Sequence, residues 1–158
     1  MSKVKPDIKT YYYKNGSIKS EYYHLNDLLH RENSPAIMEY YSNGRIKFEY
    51  YYQNGQYYRE KGPSEISYYW SGRIEIELYW LNGKLHRENG PAHIYYDEDG
   101  RIVYEGYWIN GNPHRENDPA KIWYNVRGEI VLKEYWIKGE IIIDEFQIMV
   151  IEGLRMEK

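Results

Sequence analysis

Three neighbouring side chains, His86, Arg87 and Glu88, are of types that could carry out acid–base or metal chemistry. An imidazole and a carboxylate can exchange protons with a substrate, and both are common zinc ligands. The group recurs along the chain, with Tyr in place of His in one copy, at 30–32, 58–60 and 114–116. A group copied in this way is either a row of identical sites or a part of the architecture, and the elements that position it decide which.

The chain is a tandem repeat with a period of 28 residues. Several residue columns keep this step, with no insertion or deletion, from about Ile8 to Gly139. The columns are Pro35, Pro63, Pro91 and Pro119; Gly16, Gly44, Gly72, Gly100 and Gly128; Ile18, Ile46, Ile74, Ile102 and Ile130; and the Arg and Tyr columns given below. A fixed period of this kind is typical of repeat architectures, in which each unit buries its apolar face against the next.

Turn chemistry predicts that each unit is a β-hairpin. The segments Ser42–Gly44 and Asn54–Gly55 are hairpin-turn signals, and the residues between them are aromatic or β-branched, as strands prefer. We therefore predict an all-β, elongated, single-domain array of stacked antiparallel β-hairpins. In the second unit the strands are expected at about Ala36–Tyr41 and Arg45–Gln53, with a short third segment at Gln56–Tyr58.

The predicted array spans residues 8–139 and holds five units, of which the first and last are partial. Residues 1–7 are expected to form a flexible N-terminal segment. The repeat motif is lost after Gly139, where Ile142 and Ile143 replace the His and Arg of the earlier units. We therefore predict that residues 140–158 form a C-terminal cap or a self-association segment, because an uncapped array end exposes a sheet edge.

Comparison of the units predicts which face of the sheet is structural. One pair of columns keeps its chemistry: Met38, Ile66, Ile94, Ile122 and Tyr40, Tyr68, Tyr96, Tyr124. The intervening columns vary and are predicted to be exposed, which makes a candidate interaction surface of Glu39, Glu65, Ser67, His93, Tyr95, Lys121 and Trp123. Ile46 and Tyr51 lie an odd number of residues apart, so either a β-bulge near Glu49 corrects their parity or the strand is covered on both sides.

The recurring polar group is interpreted as structural. A two-residue turn at Asn82–Gly83 places His86 opposite Tyr79, so the histidines are expected to pack as aromatic partners of the tyrosines. The predicted structural ladder comprises Tyr23, Tyr51, Tyr79, Tyr107 and Tyr135, with His30, His86 and His114 and with Arg31, Arg59, Arg87 and Arg115. For the arginines three accounts stay open: a solvated strip of alternating charge beside Glu32, Glu60, Glu88 and Glu116; pairing with the column Glu21, Glu49, Glu77, Glu105; or a dock for an acidic partner.

No catalytic, cofactor-binding or metal-binding residue is predicted. Equivalent histidines of stacked hairpins lie ~10 Å or more apart, too far to share an ion. The net charge of −3 argues against nucleic acid as a partner. The chain has no cysteine and no apolar run long enough to span a membrane, and its start lacks the apolar core of a signal peptide. We expect a soluble, intracellular protein without a membrane partner.

The residues "YWLNGKLHRENGPAHIYY", from Tyr79 to Tyr96, resemble MORN-type repeats. More narrowly, they are similar to the NGxxHRxxGPA variant found in large DNA viruses of amoebae such as marseilleviruses and mimiviruses. The resemblance covers about Ile8 to Gly139, with departures at Tyr58 and Ser64 in one unit and at Pro113 and Asp118 in another. It implies consecutive β-hairpins that form an elongated binding or assembly module, with no catalytic residues shared by the family.

On this basis the chain is predicted to be a non-enzymatic protein-interaction or scaffold module. If viral, it would be a virion component or a host-interacting factor, located in the virion, the host cytoplasm or the host nucleus. Its expected partners are proteins, including a second copy bound through the C-terminal end as a homodimer. The alternative is a ligand-binding or enzyme-accessory lobe that holds a sugar, a nucleotide or a lipid head group on its Tyr and Trp row.

Overall fold

The computed structural model describes residues 6–142, and these residues fold into strands and turns without a helix. The strands are β1 (Asp7–Tyr12), β2 (Ile18–Leu25), β3 (Leu28–Leu29), β4 (Ile37–Tyr40), β5 (Ile46–Tyr50), β6 (Tyr52–Gln53), β7 (Gln56–Tyr57), β8 (Glu65–Tyr68), β9 (Ile74–Leu78), β10 (Trp80–Leu81), β11 (Lys84–Leu85), β12 (His93–Tyr96), β13 (Ile102–Gly106), β14 (Trp108–Ile109), β15 (Asn112–Pro113), β16 (Lys121–Tyr124), β17 (Ile130–Ile137) and β18 (Glu140–Ile142). The N-terminal segment predicted at residues 1–7 and the C-terminal segment predicted at 140–158 fall largely outside the described residues.

One antiparallel sheet of 12 strands runs through all the units. Its order is β1-β2-β4-β5-β8-β9-β12-β13-β16-β17-β18, with β3 paired to β2, and three further two-stranded hairpins stand beside it. Each unit therefore contributes a long hairpin to the common sheet and a short hairpin next to it. The predicted all-β array of stacked hairpins is confirmed. In the second unit the first strand is two residues shorter than expected and the third is one residue shorter, while the strand expected at Arg45–Gln53 is divided at Tyr51 into β5 and β6.

The two hairpins of a unit use different turns, and the difference follows from their residues. Asn54 and Gly55 both have positive φ, 50° and 77°, as a type I′ turn requires. In the long hairpin only Gly44 of the segment Ser42–Gly44 has positive φ, 83°, and its N–H donates to the carbonyl of Tyr41. This turn is a type I turn closed by a glycine bulge, which suits a loop of three residues.

A β-bulge in every long hairpin corrects the parity of its second strand. Glu39 pairs with Phe48 and Tyr40 pairs with Ile46, which leaves Lys47 as the extra residue. The bulge was predicted near Glu49 and lies two residues earlier. As a result Ile46 and Glu49 share one face with Met38 and Tyr40, and Phe48 and Tyr50 lie on the other.

The face that carries the unvarying columns, called here the ladder face, holds the most buried side chains. Ile66, Ile94 and Ile122 are each 6% exposed, and Ala36, Ala92 and Ala120, which precede the first strand of their units, are completely enclosed. Adjacent units are joined by backbone bonds, as where Tyr79 donates to Ala92 and Tyr107 to Ala120. Burial therefore comes from contact between successive units, as expected of a repeat protein.

Candidate interaction surface

The imidazole of each ladder histidine binds the turn of the following unit. The backbone N–H groups of Asn54, Asn110 and Lys138 donate to Nδ1 of His30, His86 and His114 at 3.2, 3.1 and 3.3 Å. The His86 backbone does pair with Tyr79, at 2.9 Å, but its ring is directed at Asn110 and not at the Tyr79 ring. The predicted His–Tyr aromatic pair is therefore replaced by a cap on a type I′ turn, which satisfies an N–H that the turn leaves free.

The second unit has no histidine for this cap. Tyr58 stands where the other units have histidine, and its side chain is exposed. Ser64, which replaces the enclosed alanine of the other units, accepts a hydrogen bond from the backbone N–H of Trp80 at its Oγ, 3.1 Å away. Ser64 and Trp80 both belong to the third unit, so this bond lies within that unit and does not replace the cap that the histidine provides elsewhere.

Each ladder arginine lies on the tyrosine of its own unit. The guanidinium carbons of Arg31, Arg59, Arg87 and Arg115 are 3.8–3.9 Å from the ring centroids of Tyr23, Tyr51, Tyr79 and Tyr107. Their Nη1 atoms donate to the carbonyls of Pro35, Pro63, Pro91 and Pro119 at 3.0–3.4 Å. Neither the charge strip nor the arginine–glutamate pairing describes these contacts: the arginine is a clamp that joins the Tyr ring to the Pro turn. For Tyr135 the corresponding residue, Ile143, lies outside the described residues.

The glutamate column expected to bind arginine binds tyrosine hydroxyls instead. Tyr40, Tyr68, Tyr96 and Tyr124 donate to Glu21, Glu49, Glu77 and Glu105 of the preceding unit at 2.7, 2.9, 3.1 and 2.7 Å. Burial, together with the neighbouring carboxylate, raises the pKa of these four hydroxyls, so each stays a donor. These bonds link one unit to the next, so the glutamates and tyrosine hydroxyls of the ladder face serve to hold the units together.

The opposite face, called here the variable face, is more covered than predicted. Ser67 is only 4% exposed, Glu39 is half-buried, and Tyr95 is the most open of the predicted residues, at 37%. The expectation of exposed columns is wrong for Ser67 and too simple for the rest. The cause is the partner column on the second strand of each hairpin, because large side chains such as Phe48 lie directly beside the predicted residues.

The first part of the variable face is an aromatic cluster around Glu65. The rings of Tyr57 and Trp80 stack at 5.4 Å with an interplanar angle of 19°, and Tyr52 lies 4.3 Å from Tyr57. Trp80 Nε1 donates to Glu65 Oε2 at 3.0 Å. Burial raises the pKa of Glu65, and the hydrogen bonds from Trp80 and Tyr57 counteract part of this shift. The short hairpins therefore supply rings that close over the variable face.

The middle of the variable face is a cluster around His93. Its ring lies 4.8 Å from Tyr95 and 5.1 Å from Tyr104, and the Tyr104 ring lies 5.0 Å from Trp123. His93 Nε2 is buried without a hydrogen-bond partner among residues 6–142. The residue paired with His93 on the next strand is Gly106, where a Cβ atom would come within 2.5 Å of Tyr104 Oη. Glycine is therefore required there, because a side chain would occupy the space of the Tyr104 hydroxyl.

The last part of the variable face carries a cation between two indoles. Lys121 Nζ lies 4.1 Å from the Trp136 ring centroid, 5.8 Å from that of Trp108 and 3.3 Å from Glu134 Oε2. Trp136 Nε1 also donates to Glu134, at 2.7 Å. Together the three clusters place aromatic rings on the variable face of the second to fifth units, and they are called here the aromatic strip.

Trp80, Tyr104 and Trp136 of the strip were not among the predicted site residues. Nor were Phe48 and Tyr50, whose rings lie 5.7 Å apart, with Tyr50 6.4 Å from Tyr57. The signal that could have found them is the variation of the partner columns. The position of Phe48 is Ile76, Tyr104 and Leu132 in later units, and that of Tyr50 is Leu78, Gly106 and Glu134. These columns vary as much as the predicted ones because they lie on the same face.

The burial of His93 predicts that stability falls in mildly acidic solution. Burial lowers the pKa of His93 to about 4, below the ~6.5 of an unfolded histidine. The folded state thus favours the neutral ring. The stability of the protein is therefore unaffected by His93 protonation above pH ~6.5, and it decreases as the pH falls from ~6.5 towards ~4, because the unfolded chain binds the proton more readily. Urea titrations across this range should show a smaller loss for His93→Gln than for the wild type. Parallel curves for the two proteins would contradict the assignment.

The described residues define an all-β repeat protein with one aromatic, variable face. No group of three or more His, Asp or Glu side chains within residues 6–142 is arranged to hold a metal ion. Nor does any helix in that part of the chain have the length and apolarity needed to cross a membrane. Comparison with protein-family models, with curated proteins and with solved structures gave no match.

Proposed function

We propose that this chain is a non-enzymatic protein-interaction or scaffold module that binds a partner along its variable face. The observation that carries the proposal is the aromatic strip, in which Tyr57 and Trp80 of the second and third units lie 5.4 Å apart and Tyr104 and Trp123 of the fourth and fifth units lie 5.0 Å apart. Aromatic side chains with a polar edge are enriched at the centres of protein interfaces. The ladder face, by contrast, uses its His, Arg and Glu side chains to hold the units together.

The variation along the strip supports a protein partner. Its last three units present Glu65, His93 and Lys121 at one position, so the charge changes from acidic to neutral to basic along a single row. A repeat array that differs in this way from unit to unit can recognise an extended segment of matching charge. Resemblance to MORN-type repeats of large DNA viruses favours the same class of function, and a viral scaffold or host-interacting factor is part of this proposal.

Alanine substitution of exposed rings on the strip tests the proposal. A photo-crosslinking residue placed at Tyr95 should capture a discrete protein partner. Once the partner is purified, the double variant Tyr95→Ala, Trp123→Ala should bind it at least ~30-fold more weakly, as hot-spot rings each contribute ~1–2 kcal/mol. Trp70→Ala is the matched control, because this exposed ring lies on the turn of a long hairpin and not on the strip. Equal losses for the control and the double variant would contradict the proposal.

The aromatic rings also support a second candidate, a lobe that holds a sugar, a nucleotide or a lipid head group. Stacked Tyr57 and Trp80, with the carboxylate of Glu65 beside them, provide a flat apolar surface with one acceptor. Tryptophan fluorescence distinguishes the candidates. A saturable change on titration with one of these small molecules, abolished in Trp80→Phe, would favour the lobe, whereas the scaffold predicts no such change.

A further inference from the structure

Both ends of the sheet expose apolar strand edges within the described residues. At one end β1 pairs only with β2, and Tyr11 is 54% exposed. At the other end β18 pairs with Tyr135–Ile137 of β17, so the earlier part of β17, from Ile130 to Glu134, pairs only with β16 within residues 6–142. Leu132 in that part is 50% exposed. Open edges of this kind are templates for pairing with another chain.

The two edges are complementary because of the repeat itself. In the interior, the second strand of each long hairpin pairs with the first strand of the next, as Tyr104 with Trp123, Glu105 with Ile122 and Gly106 with Lys121. The free part of β17 is the last such second strand. β1 holds the position of a first strand, since Lys9–Tyr12 lies one period before β4. A β1 strand from another molecule is therefore the element that the edge of β17 is shaped to receive.

We propose that a second copy of this chain adds its β1 to the free edge of β17, so that molecules join head to tail and continue the sheet. This goes beyond the proposed function, which concerns the variable face. The repeat fixes the register of the contact: Leu132 opposite Tyr11, Lys133 opposite Thr10 and Glu134 opposite Lys9. Because such a contact uses two different surfaces and does not close, it produces open linear assemblies and not a symmetric dimer.

The side chains that meet in this register are compatible. Lys9 faces Glu134, which places opposite charges across the strands, and Tyr11 and Leu132 cover each other. Lys133 takes the place of the glutamates that accept from the Tyr40 column, and Tyr12 belongs to that column. An ammonium group can donate to the Tyr12 hydroxyl where a carboxylate would accept from it.

The backbone groups of the two edges are also aligned. Residues two apart on a strand direct their N–H groups to the same side. Tyr23, Tyr51, Tyr79 and Tyr107 donate to the following unit, so Lys133, two residues before Tyr135, has its N–H on the free side of β17. Thr10 corresponds to Met38, which pairs with Glu21 of the preceding unit, so its N–H points away from β2. At the centre of the contact, Lys133 and Thr10 therefore each present a backbone N–H donor and a backbone C=O acceptor to the other strand.

The competing occupant is the chain's own C-terminal part, because residues 149–152 have the same place in the repeat as β1. In the described units the loop that leads to this strand is built on the arginine clamp, the proline that accepts from it and an enclosed alanine or serine. The sequence has Ile143, Gln147 and Ile148 at these three positions. Ile143 has no donor to replace the arginine, Gln147 lacks the fixed φ of proline, and Ile148 is larger than the enclosed alanine or serine, which favours the second copy.

Proline substitutions at the two edges test the proposal on the full-length protein. Thr10→Pro removes the outward N–H of β1, and Lys133→Pro removes that of β17, and neither N–H faces a paired strand within residues 6–142. Light scattering over a wide concentration range should show wild-type assemblies that grow beyond dimers and a monomer for each variant. Mixing the two variants should give a heterodimer and nothing larger, because each retains one competent edge. Thr10→Ala, which keeps the N–H group, should assemble as the wild type does, and Lys133→Ala should still form assemblies larger than dimers, although it loses the ammonium group that faces Tyr12.

Other outcomes would overturn the proposal. A wild type that stays monomeric at every concentration would mean that residues of the same chain cover the edge. A dimer that survives Thr10→Pro but not Lys133→Pro would indicate symmetric pairing of two C-terminal ends. Circular dichroism and thermal unfolding of each proline variant verify that it is folded. Failure of self-assembly leaves partner binding at the variable face intact, so the two proposals are tested separately.

Discussion

Replacement of Tyr51 by alanine should lower the free energy of unfolding by ~3–5 kcal/mol. Tyr51 is the most buried of the ladder tyrosines, at 9% exposed, and its backbone N–H donates to Ser64 of the next unit. Loss of the ring creates a cavity that the neighbouring backbone cannot fill, since that backbone is held by bonds from Tyr51 to Ser64 and from Tyr58 to Tyr51. It also removes the surface on which Arg59 lies, 3.9 Å from the ring centroid. Urea titration followed by circular dichroism measures the loss.

Two controls show whether the loss of stability comes from the buried ring. One removes only the Tyr51 hydroxyl, and the other removes an exposed tyrosine. Tyr51→Phe keeps the ring and removes only a hydroxyl whose bond to Glu49 is long, 3.4 Å, so it should cost less than ~1 kcal/mol. Tyr58→Ala removes an exposed tyrosine of the same unit and should also cost less than ~1 kcal/mol. Similar losses for Tyr51→Ala and Tyr58→Ala would mean that the ladder tyrosines are not the core of the array.

The sequence was sufficient to predict the strands and turns because their requirements are local. Asn54 and Gly55 can adopt the positive φ of a type I′ turn, and Pro63 cannot continue a ladder, whatever the rest of the chain does. Repetition of these signals every 28 residues then fixed the order of the strands in the sheet. The column of Met38, Ile66, Ile94 and Ile122 was likewise assigned to the buried face from its chemistry alone.

The side-chain contacts of the ladder could not be predicted, because they depend on the position of the next unit. His86 lies opposite Tyr79 by strand register, but the free N–H of the Asn110 turn is a better partner for its ring. Likewise Arg87 could reach glutamates on either side, yet the turn of Gly90 and Pro91 brings a carbonyl within 3.0 Å of its guanidinium while the group lies flat on Tyr79. Sequence spacing gives the register of a strand but not the direction of a long side chain.

One substitution within the repeat shows how the units adapt. Gly62 and Gly90 have positive φ, 105° and 137°, in the loop beneath the arginine. Where Ser34 and Asp118 stand at this position, the positive φ moves one residue earlier, to Asn33 and Asn117. The arginine–proline bond lengthens from 3.0 Å to 3.3 and 3.4 Å in those two units. The clamp is thus kept when its glycine is lost, which indicates that the arginine contact is a requirement of the fold.

The clamp can be tested at Arg87, where alanine should cost ~2 kcal/mol of unfolding free energy. The estimate combines a hydrogen bond from a charged group, ~1.5–3 kcal/mol, with a partly solvated cation–π contact, and allows for water that replaces the side chain. This is more than the ~0–1 kcal/mol of an exposed ion pair, which is the cost expected if Arg87 belonged to a strip of alternating charge. Urea titration of Arg87→Ala therefore distinguishes the two roles.

Two further variants decide whether the planar guanidinium is what matters. Arg87→Lys keeps the charge but cannot lie flat on Tyr79 while donating to Pro91, so it should recover less than half of the loss. Glu88→Ala removes the neighbouring charge, which is 80% exposed and lies 4.0 Å from His86, and should cost less than ~0.5 kcal/mol. If lysine restored full stability, or if Glu88→Ala cost as much as Arg87→Ala, charge alone would account for the residue. A loss confined to the arginine variants would assign the recurring His-Arg-Glu group to the joints of the array, where the arginine holds the turn that carries the chain from one unit to the next.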